Sequence, residues 1–286
     1  DLHSFPTRRS SDLQLAADVP KKVKERLIVV PLSVHFGDEE FMDGVTITHD
    51  EFYTKLENSL ISPTTSQPSP MAFREKYEEV VKNGDSAVVI TISSEFSGTY
   101  QSAVMGAKGL EDKVFVIDSK TASIGEGILC ELALRLADEG TSAEKIVEIL
   151  EKKRESVVVV ALLDTLEYLL RGGRISKTSA TIGKILSIKV VLTIKDGEII
   201  PLGKARGIKN GNNLLTQEIE KVGGVDFNMP LLTGYTGTDD ETIKKYILDA
   251  KNIWENNMEK PDYVCLGSVI GTHAGPGALG VAFFKR

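Results

Sequence analysis

From Leu27 onward, short runs of β-branched residues alternate with longer stretches whose apolar positions recur at helical spacing. The runs "LIVVPLSVHF" (from Leu27), "SAVVITI" (from Ser86), "KVFVID" (from Lys113) and "SVVVVALL" (from Ser156) are bounded by turn or charged residues and predict strands. Between them, "THDEFYTKLENSL", "PMAFREKYEEVVKNG", "GTYQSAVMGAKGL", "GILCELALRLADEG" and "SAEKIVEILEKKRE" predict helices. The boundaries agree with that reading. Ser69 precedes Pro70 as an N-cap precedes a first helical position, Thr141 and Glu144 have capping-box spacing, and Gly84 and Gly140 suit helix ends. Such alternation implies βα units and a largely parallel sheet.

After about residue 156 the texture changes to "DTLEYLLRGGRIS", "SIKVVLTIKDGEIIPLGKARG" and "YVCLGSVIGTHAGPGALGVAFF", with Asp196-Gly197 marking a hairpin between apolar runs. The predicted fold is therefore α/β, a mostly parallel sheet flanked by helices over residues 14–155, with a second, smaller α+β domain over 156–286. Residues 1–13, "DLHSFPTRRSSDL", are polar and basic without alternation. They are expected to be a non-native or disordered segment in the place of the buried strand with which an α/β domain normally begins.

Composition narrows the function classes. Hydrophobic residues make up 41% and charged residues 26% of the 286, ordinary values for a globular protein in water. A formal net charge of −7 argues against general affinity for nucleic acid. Cys130 and Cys265 stand far apart without a Cys-x-x-Cys partner, which suits free thiols in a reducing cytoplasm. The longest apolar run, Val157 to Leu163, is too short to cross a bilayer, so transient contact with a membrane surface is the most that is expected.

Three segments carry candidate chemistry. "SSEFSGTYQSA" follows a predicted strand and opens a helix, placing Ser97 and Gly98 where backbone N–H groups can meet an anion. "TTSQPSP" offers the hydroxyls of Thr64, Thr65, Ser66 and Ser69 on a backbone stiffened by prolines. "GTHAGPGALG" sets His273 in a glycine-rich loop. Each has a plainer alternative: Ser97 as an N-cap, the hydroxyls serving their own backbone, and His273 as a structural histidine.

No Gly-x-x-x-x-Gly-Lys-Ser/Thr or Gly-x-Gly-x-x-Gly loop opens a helix, so no nucleotide cofactor is expected, and the histidine spacing suggests no metal. Residues 171–209 hold nine basic side chains against two acidic ones, an island suited to an acidic partner. An acyl-ester hydrolase with Ser97 as nucleophile and His273 as base stands as the alternative function, weakened by the missing Gly-x-Ser-x-Gly.

Taken in series, "PTTSQPSP", "SSEFSGTYQSA", "VIDSKTASIGEG", "LEYLLRGGRIS", "GKARG" and "GTHAGPGALGVAFF" resemble the motifs of the DegV family of bacterial fatty-acid-binding proteins, over roughly residues 25–286. The resemblance implies that one long-chain fatty acid is enclosed between two domains. Its carboxylate is held by neutral donors at Thr65, Ser97 with Gly98, and His273. It further implies a carrier rather than an enzyme. Members that serve fatty acid kinase present the lipid to a separate ATP-binding kinase subunit, which makes an acyl phosphate for phospholipid metabolism. Arg174 and Arg206 match the arginines that contribute to docking that subunit. Family members begin with a buried strand, where this chain has "DLHSFPTRRSS".

Overall fold

The computed structural model describes residues 27–175 and 188–286, together with the backbone of residues 9–11. In chain order the strands are β1 (Arg9–Ser11), β2 (Leu27–Val29), β3 (Ser33–Phe36), β4 (Glu39–Met42), β5 (Thr64–Ser66), β6 (Ala87–Thr91) and β7 (Val114–Asp118). They continue with β8 (Val157–Leu163), β9 (Ile188–Lys195), β10 (Glu198–Arg206), β11 (Leu232–Tyr235), β12 (Tyr263–Cys265) and β13 (Leu279–Phe284). The helices of the first half are α1 (His49–Asn58), α2 (Pro70–Lys82), α3 (Thr99–Gly106), α4 (Ile124–Asp138) and α5 (Ala143–Lys153). Those of the second are α6 (Glu167–Arg171), α7 (Ile208–Lys221), α8 (Glu241–Asp249), α9 (Lys251–Trp254) and α10 (Ser268–Ala274).

Three sheets result. One has the order β2-β1-β6-β7 and is parallel throughout. The second, β10-β9-β8-β13-β11-β12, is antiparallel except for its β11–β12 pair, and all its strands come from beyond Ser156. The part expected to be the smaller thus carries the longer sheet. A small antiparallel sheet, β4-β3-β5, stands beside them.

Helix α4 explains how the two large sheets become one body. It is apolar on nearly every side, and such a helix must be covered all round. Ile124, Ile128, Leu129 and Leu132 share one core with Val88, Ile90 and Ile117 of the parallel sheet and with Val159, Leu232 and Phe284 of the mixed sheet. The far face of the mixed sheet buries Val191, Val281 and Phe283 against Leu215, Ile219, Tyr246 and Trp254 from helices α7 to α9.

Local signals were mostly well placed. Asp196 and Gly197 both take positive φ, 53° and 86°, the geometry of a tight hairpin turn. Ser69 caps α2 by accepting from Ala72 N at 3.2 Å. In the next case the cap lies one residue along: Ser142, not Thr141, receives the N–H of Lys145.

Two expectations need correction. "LIVVPLSVHF" is not one strand but two in different sheets, separated at Val30-Pro31-Leu32, where proline removes a ladder donor. Arg9–Ser11, inside the segment expected to be non-native or disordered, form β1, paired on both sides with β2 and β6. Backbone pairing along two neighbours can hold a strand that has no apolar alternation. The other residues of the 1–13 segment lie outside the described ones.

Candidate functional site

In the parallel sheet, the chain passes from β1 to β2 on one side and to β6 and β7 on the other. Ligands of such sheets sit beyond the carboxyl ends of the strands at that reversal. The segment after β6, from Ile92 to Gly98, lies there and forms part of the wall of a cavity of about 420 Å³. Ile92, Ile124, Val159, Ala161, Leu192 and Ile194 give that wall its apolar stretch. Alternation along β8 and β9 turns one face of the mixed sheet toward it.

Thr65, Ser97, Gly98, Arg174 and His273 also line the cavity. Strand β5 positions Thr65 opposite Val34 in β3. Its hydroxyl lies 2.9 Å from His273 Nε2. The neighbouring hydroxyls do serve the frame: Ser66 Oγ pairs with His35 Nε2 at 2.8 Å and Ser69 caps α2.

His273 occupies the last turn of α10 rather than a loop, because the following glycine, Gly275 at φ 73°, ends the helix. Its Nδ1 is buried without a hydrogen-bond partner among the described residues. Burial holds the imidazole pKa down at about 4, and the nearby positive charge of Arg174 adds to the effect. The ring is therefore neutral at pH 7. The backbone of Gly172 lies against it so closely that a Cβ at that position would stand 2.1 Å from Nδ1. This accounts for one glycine of "RGGR".

Ser97 precedes α3, and Gly98 takes the cap position. The Ser97 hydroxyl lies 2.7 Å from Thr99 Oγ1 and accepts from Thr99 N at 3.3 Å. Gly98 permits a close approach by Gln67, whose Oε1 would be 2.1 Å from an added Cβ. Gln67 Nε2 donates to Gly98 O at 3.2 Å and to Ser102 Oγ at 2.8 Å, tying the segment after β5 to the start of α3. Neither Gln67 nor Gly172 was singled out from the sequence, since each acts through a distant contact.

Arg174 alters the expected picture of a grip made of neutral donors alone. The tight turn at Gly172-Gly173 returns the chain toward the cavity, and the guanidinium donates from Nε to Phe96 O at 3.1 Å and from Nη1 to Gly172 O at 2.6 Å. It is the one charged side chain among the described residues that line the cavity, His273 being neutral. Arg206, in contrast, is exposed at the end of β10.

The basic island is not one uniform patch. Arg171 donates to Ser62 Oγ at 2.7 Å and pairs with Glu167, while Lys189 pairs with Asp164. Lys177 and Lys184 lie outside the described residues. Nor do Ser97 and His273 form a catalytic pair: among the described residues no hydrogen bond joins them, and no acid orients the imidazole. That geometry disfavours the hydrolase. No helix among the described residues is long and apolar enough to cross a membrane, and no group of them could hold a metal ion.

A family model described as an uncharacterised protein of the DegV family matches residues 16–286. A DegV domain-containing protein of Caldanaerobacter subterraneus is 36% identical over 276 residues, covering 94% of this chain and 96% of that one. A DegV family protein from Thermus thermophilus, solved for its fatty acid binding, superposes with a TM-score of 0.86 at 31% identity, covering 98% of this chain and 99% of its own. A stearic-acid-binding protein from Eubacterium ventriosum gives 0.83 at 28% identity, with 97% and 98% covered.

Proposed function

The chain belongs to the DegV family, and from that premise we propose that it carries one long-chain fatty acid, with the tail along the apolar wall and the carboxylate at Thr65, Ser97 and His273. The observation that carries the reading is the cavity of about 420 Å³, lined by apolar side chains and by Thr65, Ser97, Arg174 and His273, with Thr65 hydrogen-bonded to His273. Solved relatives that bind fatty acids, one of them stearic acid, support it.

Magnitudes divide the labour. Burying roughly 14 methylenes at ~0.8 kcal/mol each is worth about 11 kcal/mol before association costs. Each hydrogen bond to the carboxylate adds roughly 1.5–3 kcal/mol. The tail supplies affinity, and the head supplies orientation. A ligand without the acid group would leave buried donors unpaired.

In the same reading the protein is not itself the catalyst. It presents the head group to a separate ATP-binding kinase subunit for conversion to acyl phosphate. Arg206, exposed, serves as a docking residue, and Arg174 places positive charge beside the head where it faces that partner. Native mass spectrometry of freshly purified protein tests the carrier role: a co-purifying fatty acid is expected. Delipidated protein that takes up no long-chain acid would end it.

A further inference from the structure

We propose that Asp43 is a positioning residue for the carboxylate site: by clamping the start of α10 to the small sheet, it sets the spacing between His273 and Thr65. The proposal rests on the fatty-acid reading above. Asp43 is only 5% exposed, and its carboxylate accepts from Ser268 N at 2.7 Å, Ser268 Oγ at 2.7 Å and Val269 N at 3.4 Å. Helix α10 has no cap of its own, because glycine occupies the N-cap position. Its free N–H groups are thus met by a side chain 225 residues away in sequence.

The clamp is anchored on the sheet that carries Thr65. Asp43 follows β4 directly, and its own N–H donates to Leu32 O at 3.0 Å, just before β3. Ser33 of the central strand pairs with Met42 on one side and Ser66 on the other, so the neighbours of Asp43 and Thr65 flank one residue. Two strand spacings separate β4 from β5, about 9.5 Å. The five steps from Ser268 to His273 rise about 7.5 Å along a helix. The helix rise falls about 2 Å short of that span, a gap within reach of the Asp43 and His273 side chains, and the helix is tied at one end by Asp43 and at the other by the Thr65–His273 hydrogen bond.

Further contacts make the unit stiff. Tyr53 donates to Leu266 O at 2.8 Å, just ahead of the helix. Gly271, midway along it, lies so close to Phe52 and Tyr53 that a Cβ would stand 2.5 Å and 2.7 Å from their atoms. With its middle packed against these rings, α10 is held at its Ser268 end by Asp43 together with the Tyr53–Leu266 hydrogen bond.

The test compares binding of oleic acid and oleyl alcohol to delipidated wild type, Asp43→Ala and Asp43→Asn, with thermal unfolding recorded for each. The ratio of the two affinities is the readout, because general loosening of the cavity would weaken acid and alcohol alike. Asp43→Ala is expected to lower the preference for the acid about tenfold, the order of one hydrogen bond to a charged group. Asp43→Asn keeps an acceptor for Ser268 and should restore most of it. On a Thr65→Ala background, Asp43→Ala should change the ratio little further.

A folded Asp43→Ala protein with the wild-type ratio would overturn the proposal, as would equal losses for both lipids. Should Asp43→Ala fail to fold, Ser268→Ala removes one of the three contacts, and a smaller drop in the ratio is expected; an unchanged ratio there also overturns it. Wild type that binds neither lipid would count against the fatty-acid reading itself.

Discussion

Replacing Gly172 by alanine tests the site through its least conspicuous member. Gly172 has an ordinary helical backbone, φ −74°, so alanine brings no backbone strain. The new methyl carbon would stand 2.1 Å from His273 Nδ1 and 2.7 Å from its Cε1, the nearer about 0.9 Å inside the 3.0 Å below which real side chains essentially never approach. The ring must move by about that amount, and its 2.9 Å hydrogen bond to Thr65 then breaks. Losing that bond and the imidazole's contact with a bound carboxylate should weaken fatty acid binding roughly 30- to 2000-fold, from ~0.5–1.5 kcal/mol for the first and ~1.5–3 for the second.

Gly173 is the control. It has φ 71° and nothing within 4 Å of an added Cβ. Gly173→Ala should cost about 1–2 kcal/mol of stability through left-handed backbone strain, while binding stays near that of wild type. Titration of delipidated proteins with oleic acid, beside thermal unfolding, separates the two effects. Unchanged affinity in a folded Gly172→Ala protein would refute the placement of His273 in the head site.

Other outcomes follow from the same geometry. The His273 imidazole, held at about 4 against an unfolded value near 6.5, binds its proton less readily in the folded state. Its contribution to stability is therefore complete above pH 6.5 and declines toward pH 4, by about 3 kcal/mol in all; denaturant curves at several pH values should show this acid sensitivity reduced in His273→Gln, and parallel pH profiles would contradict it. Gly98→Ala should displace Gln67 and weaken binding, yet have little effect on a Gln67→Ala background; additive losses in the double variant would argue against the contact. Arg206→Ala should keep its fatty acid but lose phosphate transfer when a kinase subunit and ATP are supplied, and transfer at the wild-type rate would remove the docking role.

How much of this was legible beforehand depended on distance along the chain. Strands such as Val157–Leu163, caps such as Ser69 and the Asp196-Gly197 turn are specified by residues within a few positions, and they stand where the pattern put them. The break at Pro31 was hidden because both flanks are equally β-branched, and β1 because it is held by pairing rather than by pattern. Thr65, Ser97 and His273 stand out locally as hydroxyls and an imidazole beside prolines and glycines, but their shared role at a carboxylate comes from the likeness of motifs. Asp43 reads locally as half of an Asp-Gly turn, and Gly172 as a loop glycine; only folding brings them to Ser268 and to the imidazole. Arg174 is expected from the motifs to help dock a kinase subunit, and a basic run gives no sign of which of its side chains also lines a cavity.

The central claim is that a fatty acid's carboxylate rests among Thr65, Ser97 and His273. Carbon-13 NMR of the delipidated protein loaded with carboxyl-labelled oleic acid addresses it most directly. One sharp carboxyl resonance is expected, distinct from that of free lipid and displaced in Thr65→Ala, Ser97→Ala and His273→Gln alike. A resonance that matches free lipid, or that ignores all three substitutions, would contradict the account.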